Sequence, residues 1–153
     1  MPTVHLVATI DAPPGAVFGV LTDWRKNLLW ERELREYRPI TPEPFGAGTR
    51  LHWVRQLGAR RLSGILEITE CAPPRLLVSE VPTGPMRFRS VIRLAPTAEG
   101  TGTVVRAELT LRPRGILRVL AVALARDLRR RATGNLQALK ELVEREASAR
   151  TPS

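Results

Sequence analysis

Residues 114–146 read RGILRVLAVALARDLRRRATGNLQALKELVERE, with no proline after Pro113. Leu117, Leu120, Ala121, Leu124, Leu128, Leu139 and Leu142 recur at helical spacing and share one face. The stretch is expected to be one long amphipathic helix. Everything before it alternates as strands do, apart from a short helical opening. A long helix gripped by a single sheet leaves room for an apolar cavity between the two. That arrangement points to a binder of small hydrophobic molecules.

The strands are read from their alternation. Val4, Leu6, Ala8 and Ile10 form one face of a first strand, which Asp11-Ala12-Pro13-Pro14 ends. Proline is tolerated in the first turn of a helix, so a short helix is expected over residues 16–22 and a second over 24–30. Further strands are expected over 32–40, 49–57, 62–69, 76–81, 87–94 and 103–112, separated by Gly- and Pro-rich turns. In the last two, Phe88, Ser90, Ile92 and Leu94 oppose Arg87, Arg89 and Arg93, and Val105, Ala107, Leu109 and Leu111 oppose Arg106, Glu108, Thr110 and Arg112. One apolar face and one wet face mark an antiparallel sheet covered on one side. The order is β, two short helices, about six β and one long helix, with no internal repeat and a tail over 148–153 expected to be disordered.

Composition narrows the class. A chain of 153 residues with a hydrophobic share of 43% suits one packed domain, here 1–147, and excludes wholesale disorder. The start, MPTVHLVATIDAPP, alternates and lacks the basic flank and apolar run of a secretory signal. The longest apolar run, residues 116–125, is broken by Arg118 and falls far short of the ~20 residues a membrane span needs. The lone cysteine, Cys71, has no internal partner, and a cytoplasmic setting is expected. The net charge of +9 comes almost wholly from arginine, the only lysines being Lys26 and Lys140. Such a surface permits anionic partners.

Several segments carry a family resemblance. Ile10-Asp11-Ala12-Pro13-Pro14, Val17-Phe18, Leu21-Thr22-Asp23 and Trp30 resemble the opening of START-like, Bet v 1-like proteins, the SRPBCC group that includes polyketide cyclase/dehydrase and coenzyme-Q-binding START-domain types. Gly46-Ala47-Gly48-Thr49 is similar to that group's turn into its third strand. Gly64 with Ile68-Thr69-Glu70, and Pro73-Pro74-Arg75-Leu76, are similar to its fourth strand and the turn after it. The terminal helix extends the likeness over essentially the whole chain. The resemblance implies an α+β helix-grip fold: a seven-stranded curved antiparallel sheet wrapped around the C-terminal helix, with two short helices after strand 1. It also implies a pocket for a lipid, quinone or polyketide-like molecule and carries no shared catalytic motif.

Taking each strand's apolar face as inward, the expected ligand wall is Trp30, Leu51, Trp53, Leu66, Phe88 and Ile92, faced by Leu117, Leu120, Leu124 and Leu128. Arg131 and Asn135 fall within the helix's apolar arc, where a charge is costly unless paired. Asp127, one turn earlier, is the expected partner of Arg131, which is either an orienting contact for a ligand or an arginine snorkelling to the domain edge. No metal site, cofactor or catalytic residue is expected. His5 and His52 sit opposite their strands' apolar residues, Cys71 has no neighbouring histidine in sequence, and Glu36, Glu80 and Glu108 offer no defined base. A titratable group projecting into the cavity would mark an aromatase/cyclase or dehydratase chemistry; cavity-facing polar residues look scarce, which favours binding. Arg114, Arg118, Arg126, Arg129 and Arg130 form a basic stripe, either a solvated face or a weak contact for an anionic membrane surface. With no aromatics between these charges, nucleic acid is the less favoured partner.

Overall fold

The computed structural model describes residues 2–150. Strand β1 (Thr3–Ile10) is followed by α1 (Pro14–Leu21) and α2 (Trp24–Trp30). Six strands come next: β2 (Leu34–Pro39), β3 (Arg50–Leu57), β4 (Arg60–Ala72), β5 (Leu76–Val81), β6 (Met86–Pro96) and β7 (Thr103–Pro113). A 3-10 segment (Gly115–Leu120) then leads into α3 (Ala121–Arg150). The seven strands form one antiparallel sheet in the order β1-β7-β6-β5-β4-β3-β2. This is the expected α+β helix-grip fold. None of the helices is long and apolar enough to cross a membrane among the described residues.

The alternation in the sequence settles which face is covered. Leu94 pairs with Val105, which pairs with Ala8, and Ile92 pairs with Ala107, which pairs with Leu6. The apolar sets of β6, β7 and β1 therefore stand on one face. On β3 and β4 that face carries Leu51 opposite Leu66, and Trp53 opposite Gly64. Glycine is required there by close approach: a Cβ at Gly64 would lie 2.7 Å from Cζ2 of the Trp53 ring. β4 carries a bulge between Ile68 and Glu70, which shifts its register against β5.

One apolar cluster joins α1, the end of β1 and the second half of α3. Ile10, Val17, Leu51, Val105, Leu139 and Val143 are almost wholly shielded and belong to one apolar cluster. In α3 the buried residues are Asn135, Leu139, Leu142 and Val143, all in its second half. Polar ties reinforce that half: Lys26 Nζ meets Glu146 at 2.8 Å, Lys140 Nζ donates to the Thr9 carbonyl at 2.8 Å, and Asp11 N donates to Glu144 at 2.8 Å.

The terminal helix departs from expectation at both ends. It does not run unbroken from Arg114. Arg114 is extended, Gly115 turns at φ 59°, and a 3-10 segment precedes the α-helix. Only glycine enters that left-handed region without steric cost, so the chain turns before it coils. At the far end α3 continues through Arg150, so residues 148–150 of the expected tail are helical. Residues 151–153 of that tail lie outside the described residues.

Candidate functional site

A cavity of about 100 Å³ lies between α2 and the covered face of the sheet. Leu66, Ile68, Leu77, Phe88 and Ile92 form its sheet wall. Leu21, Trp24 and Trp30 close it from the helices, and Phe45 closes it from the loop before β3. The turn of α2 brings Trp24, Asn27 and Trp30 to one side by their spacing of three. Asn27 takes the inward place while Leu28 and Leu29 are exposed. That inversion has a local cause: Asn27 Nδ2 donates to Glu31 Oε2 at 2.7 Å, anchoring the polar side chain inward.

The wall is more polar than expected. Glu31, Tyr37, Arg55, Ser79 and Ser90 all line the cavity. The expectation that cavity-facing polar residues are scarce is therefore corrected. Arg55 shares a strand face with Leu51 and Trp53, so period-two alternation carries it inward with them. Its guanidinium donates to Glu31 Oε1 at 2.6 Å and lies 3.9 Å from Glu33. Burial works against the Arg55 charge, but Glu31, by attraction and hydrogen bond, outweighs it with help from Glu33 and Tyr37, and the pKa rises above its ordinary value. Burial also pushes the Tyr37 phenol well above its ordinary value; Glu31 adds to this and Arg55 partly opposes it. Tyr37 thus stays protonated at neutral pH.

Two polar atoms of the wall residues lack partners. Trp30 Nε1 and Asn27 Oδ1 are both shielded from water and unbonded among the described residues. A shielded donor and acceptor without partners each carry a desolvation cost of ~1–3 kcal/mol.

A ladder of alternating charges links this wall to α3. Asp127 Oδ2 accepts from Arg131 Nε at 2.7 Å, and Arg131 lies 3.9 Å from Glu33. Glu33 faces Arg55, which pairs with Glu31. Asn135 joins the ladder, donating to Glu33 at 3.0 Å and accepting the Arg32 backbone N–H at 3.1 Å. The spacing argument for Asp127 and Arg131 holds. Asn135, the polar residue in the apolar arc, is buried because it satisfies the end of α2 and the start of β2.

The expected wall residues are partly brought together. Trp30, Leu66, Phe88 and Ile92 line the cavity. Leu51 is wholly buried in the core, and Trp53 lies across Gly64 with its Nε1 shielded and unbonded. Leu117, Leu124, Leu128 and Arg131 are half-buried, and Leu120 is 49% exposed; none of these five borders the cavity. The reason is that α3 is pinned to the sheet by its second half, while no side chain from 121 to 134 is buried. Sequence reading missed Asn27, Glu31, Tyr37, Phe45, Arg55 and Ser79. For Arg55 the signal was present in the alternation; for Glu31 and Asn27, at a helix end, it was not.

The remaining reactive side chains lie elsewhere. His5 is exposed, and His52 is on the sheet's other face, with a shielded, unbonded Nδ1 among the described residues. Cys71 packs partly against the core, where burial pushes its thiol pKa up. Glu36 and Glu80 pair with Arg61 and Arg89 at 3.2 Å, and Glu108 is exposed.

Comparison with known proteins agrees with this architecture. The family described as "Polyketide cyclase / dehydrase and lipid transport" matches residues 1–144. No curated protein matches the chain in sequence. Among solved structures, TTHA0849 from Thermus thermophilus is similar with a TM-score of 0.80 at 23% identity, over 98% of this chain and all of that one (100%). NE0264 from Nitrosomonas europaea gives 0.76 at 16% identity, over 95% and 96% of the two chains. Ara h 8.0201 gives 0.74 at 12% identity, over 92% and 96%. Likenesses at these identities speak to the fold.

Proposed function

The chain belongs to the polyketide cyclase/dehydrase and lipid transport family, and from that premise we propose that it binds a small hydrophobic ligand carrying one hydrogen-bonding end, of lipid, quinone or polyketide-like chemistry. The observation that carries this reading is the cavity wall. Leu66, Ile68, Phe88 and Ile92 offer apolar surface, while Trp30 Nε1 and Asn27 Oδ1 are left unbonded. A guest's hydroxyl or carbonyl would satisfy what the protein leaves open. Its apolar part gains ~0.8 kcal/mol for each methylene removed from water.

A volume of about 100 Å³ is smaller than the ~150 Å³ that holds one benzene, so the cavity must enlarge to take a guest of lipid size. The first half of α3 is the element to yield, since no buried side chain holds it. Leu117, Leu120, Leu124, Leu128 and Arg131 then join Trp30, Leu51, Trp53, Leu66, Phe88 and Ile92 around the enlarged space. Native mass spectrometry of freshly purified protein tests the reading. An apolar adduct is expected that is lost on denaturation and reduced in Ser90→Leu, which fills the cavity. Wild-type protein free of adduct, and unable to take up added fatty acid or quinone, would remove the proposal.

A second reading, a cyclase- or dehydratase-type enzyme, draws on Glu31, Tyr37 and Arg55 in the same wall. Both Glu31 oxygens are already engaged by Arg55 and Asn27, and burial keeps Tyr37 protonated, so neither is a free general base. Binding therefore stands first. Turnover of a linear polyketone by the wild type, abolished in Glu31→Gln with ligand occupancy retained, would reverse that order.

A further inference from the structure

Ile116, Val119 and Val122 stand 82%, 84% and 68% exposed where the 3-10 segment meets α3. In a 3-10 helix residues three apart eclipse one another, so Ile116 and Val119 share one line, and Val122 lies close to its continuation. Single exposed apolar side chains need no explanation, but three in register on one ridge do. Leu120, 49% exposed, flanks the ridge.

The charges around the ridge are one-sided. Residues 114–131 hold six arginines against Asp127 alone, a formal +5 out of the chain's +9. Asp127 is already taken by Arg130 and Arg131, and Arg129 donates to the His5 carbonyl. Among the described residues no carboxylate pairs with Arg114, Arg118 or Arg126. A second copy of this chain would set +5 against +5 at such an interface. A single nucleic-acid strand would want aromatic platforms, and the ridge has only aliphatic side chains. Aliphatic residues framed by unpaired arginines suit a surface that is apolar within and anionic at its boundary.

We propose that this ridge docks the protein on an anionic lipid surface, with Ile116, Val119 and Val122 entering the acyl boundary and Arg114, Arg118 and Arg126 meeting lipid phosphates. The position suits delivery: the segment leaves β7 shortly after Leu111, whose cross-strand partner Phe88 lines the cavity. Docking does not depend on what the cavity holds.

Co-sedimentation of the whole chain with vesicles tests this. Binding is expected to phosphatidylcholine vesicles containing phosphatidylserine and not to phosphatidylcholine alone. The triple variant Ile116→Ser, Val119→Ser, Val122→Ser should weaken it at least about tenfold, since burying even one aliphatic side chain contributes that much. Arg118→Ser with Arg126→Ser should weaken it about fivefold per arginine. Val119→Trp, which enlarges the inserted surface, should tighten it, so a null result is not blamed on misfolding. Absence of binding to anionic vesicles at physiological salt overturns the proposal. So does binding indifferent to both apolar changes, or a dimer in solution that the triple variant dissociates. Stronger retention on polyuridylic acid, sensitive to the arginines alone, assigns the surface to RNA instead and also overturns it. Vesicle binding lost while the native-mass adduct persists removes this inference and leaves the ligand reading intact.

Discussion

The two halves of α3 share one amphipathic pattern and meet different fates. In the second half Leu139, Leu142 and Val143 are buried against the cluster that includes Ile10, Val17 and Leu51. In the first half no side chain is buried, and the preceding segment turns apolar residues outward. The cluster that meets the second half includes Val17, Phe18, Val20 and Leu21 of α1 and Ile10 at the end of β1, whereas the first half is only half-buried and reaches β1 through Arg129 on the His5 carbonyl. Periodicity therefore reports which face a helix turns inward and not whether anything is there to meet it. Buried side chains clamp the second half, and the first half is held only by half-buried side chains and polar contacts such as Arg129 with the His5 carbonyl and Arg131 with Glu33.

The largest effect should separate the halves directly. Leu139→Ala deletes a side chain that is 1% exposed and should cost about 3–4 kcal/mol, by lost burial and the cavity left behind. Leu124→Ala, a half-buried leucine on the same helix, should cost less than about 1.5 kcal/mol. Denaturant unfolding of the two variants measures both. Equal losses would mean the first half is as firmly packed as the second, and the comparison would fail. Amide hydrogen exchange sharpens it, with residues 136–146 expected to exchange far more slowly than 121–130.

The boundary between the halves is Asn135. Asn135→Ala removes the acceptor of the Arg32 N–H and a donor to buried Glu33, and should cost about 1–3 kcal/mol. Asn135→Leu, which completes the apolar stripe, should fail to restore stability because it leaves Glu33 without that partner. A leucine variant as stable as wild type would show the polar junction to be dispensable.

The fold was legible because it rests on periods. Val4 to Ile10, Phe88 to Leu94 and Val105 to Leu111 alternate cleanly, and their register in the sheet follows from that alternation. The covered face of β3 was legible too, though Arg55 was not followed two steps on from Trp53. The wall residues at the end of α2 were hidden, because Glu31 and Asn27 owe their positions to hydrogen bonds with each other and with Arg55. The outward ridge was hidden for a different reason. A 3.6-residue reading of 114–120 puts Leu117 and Leu120 inward, whereas the 3-10 turn after Gly115 repeats every three and carries Ile116 and Val119 outward.

The cavity end offers a test confined to alkaline solution. Tyr37 is the chain's only tyrosine, so tyrosinate absorbance reports it alone. Its raised pKa means the folded state holds the phenol proton more tightly than the unfolded state. Stability from this group is complete below the ordinary tyrosine value of ~10 and declines as pH climbs from there toward the folded value. Absorbance should therefore stay flat through pH ~10–11 in folded protein and rise at once in denaturant. Ionisation of the folded protein at the ordinary value would place Tyr37 in water and open the cavity wall.

The smallest effect belongs to the unclamped half. Hydrogen bonding from Arg131, opposed by some burial and helped by Arg130, holds Asp127 below its ordinary value. A lowered carboxylate contributes stability that is present above the unfolded value and lost as pH falls through the folded one, so the window lies below about pH 4. The carboxylate is 40% exposed, and water and salt screen the pair. Asp127→Asn should cost only about 0.5 kcal/mol at neutral pH. The same change frees Arg130 and Arg131 and raises the local positive charge, so vesicle binding should strengthen slightly as stability slips. A loss above about 2 kcal/mol, well beyond what an exposed pair contributes, would mean the ladder from Asp127 through Arg131 to Glu33 clamps the first half after all.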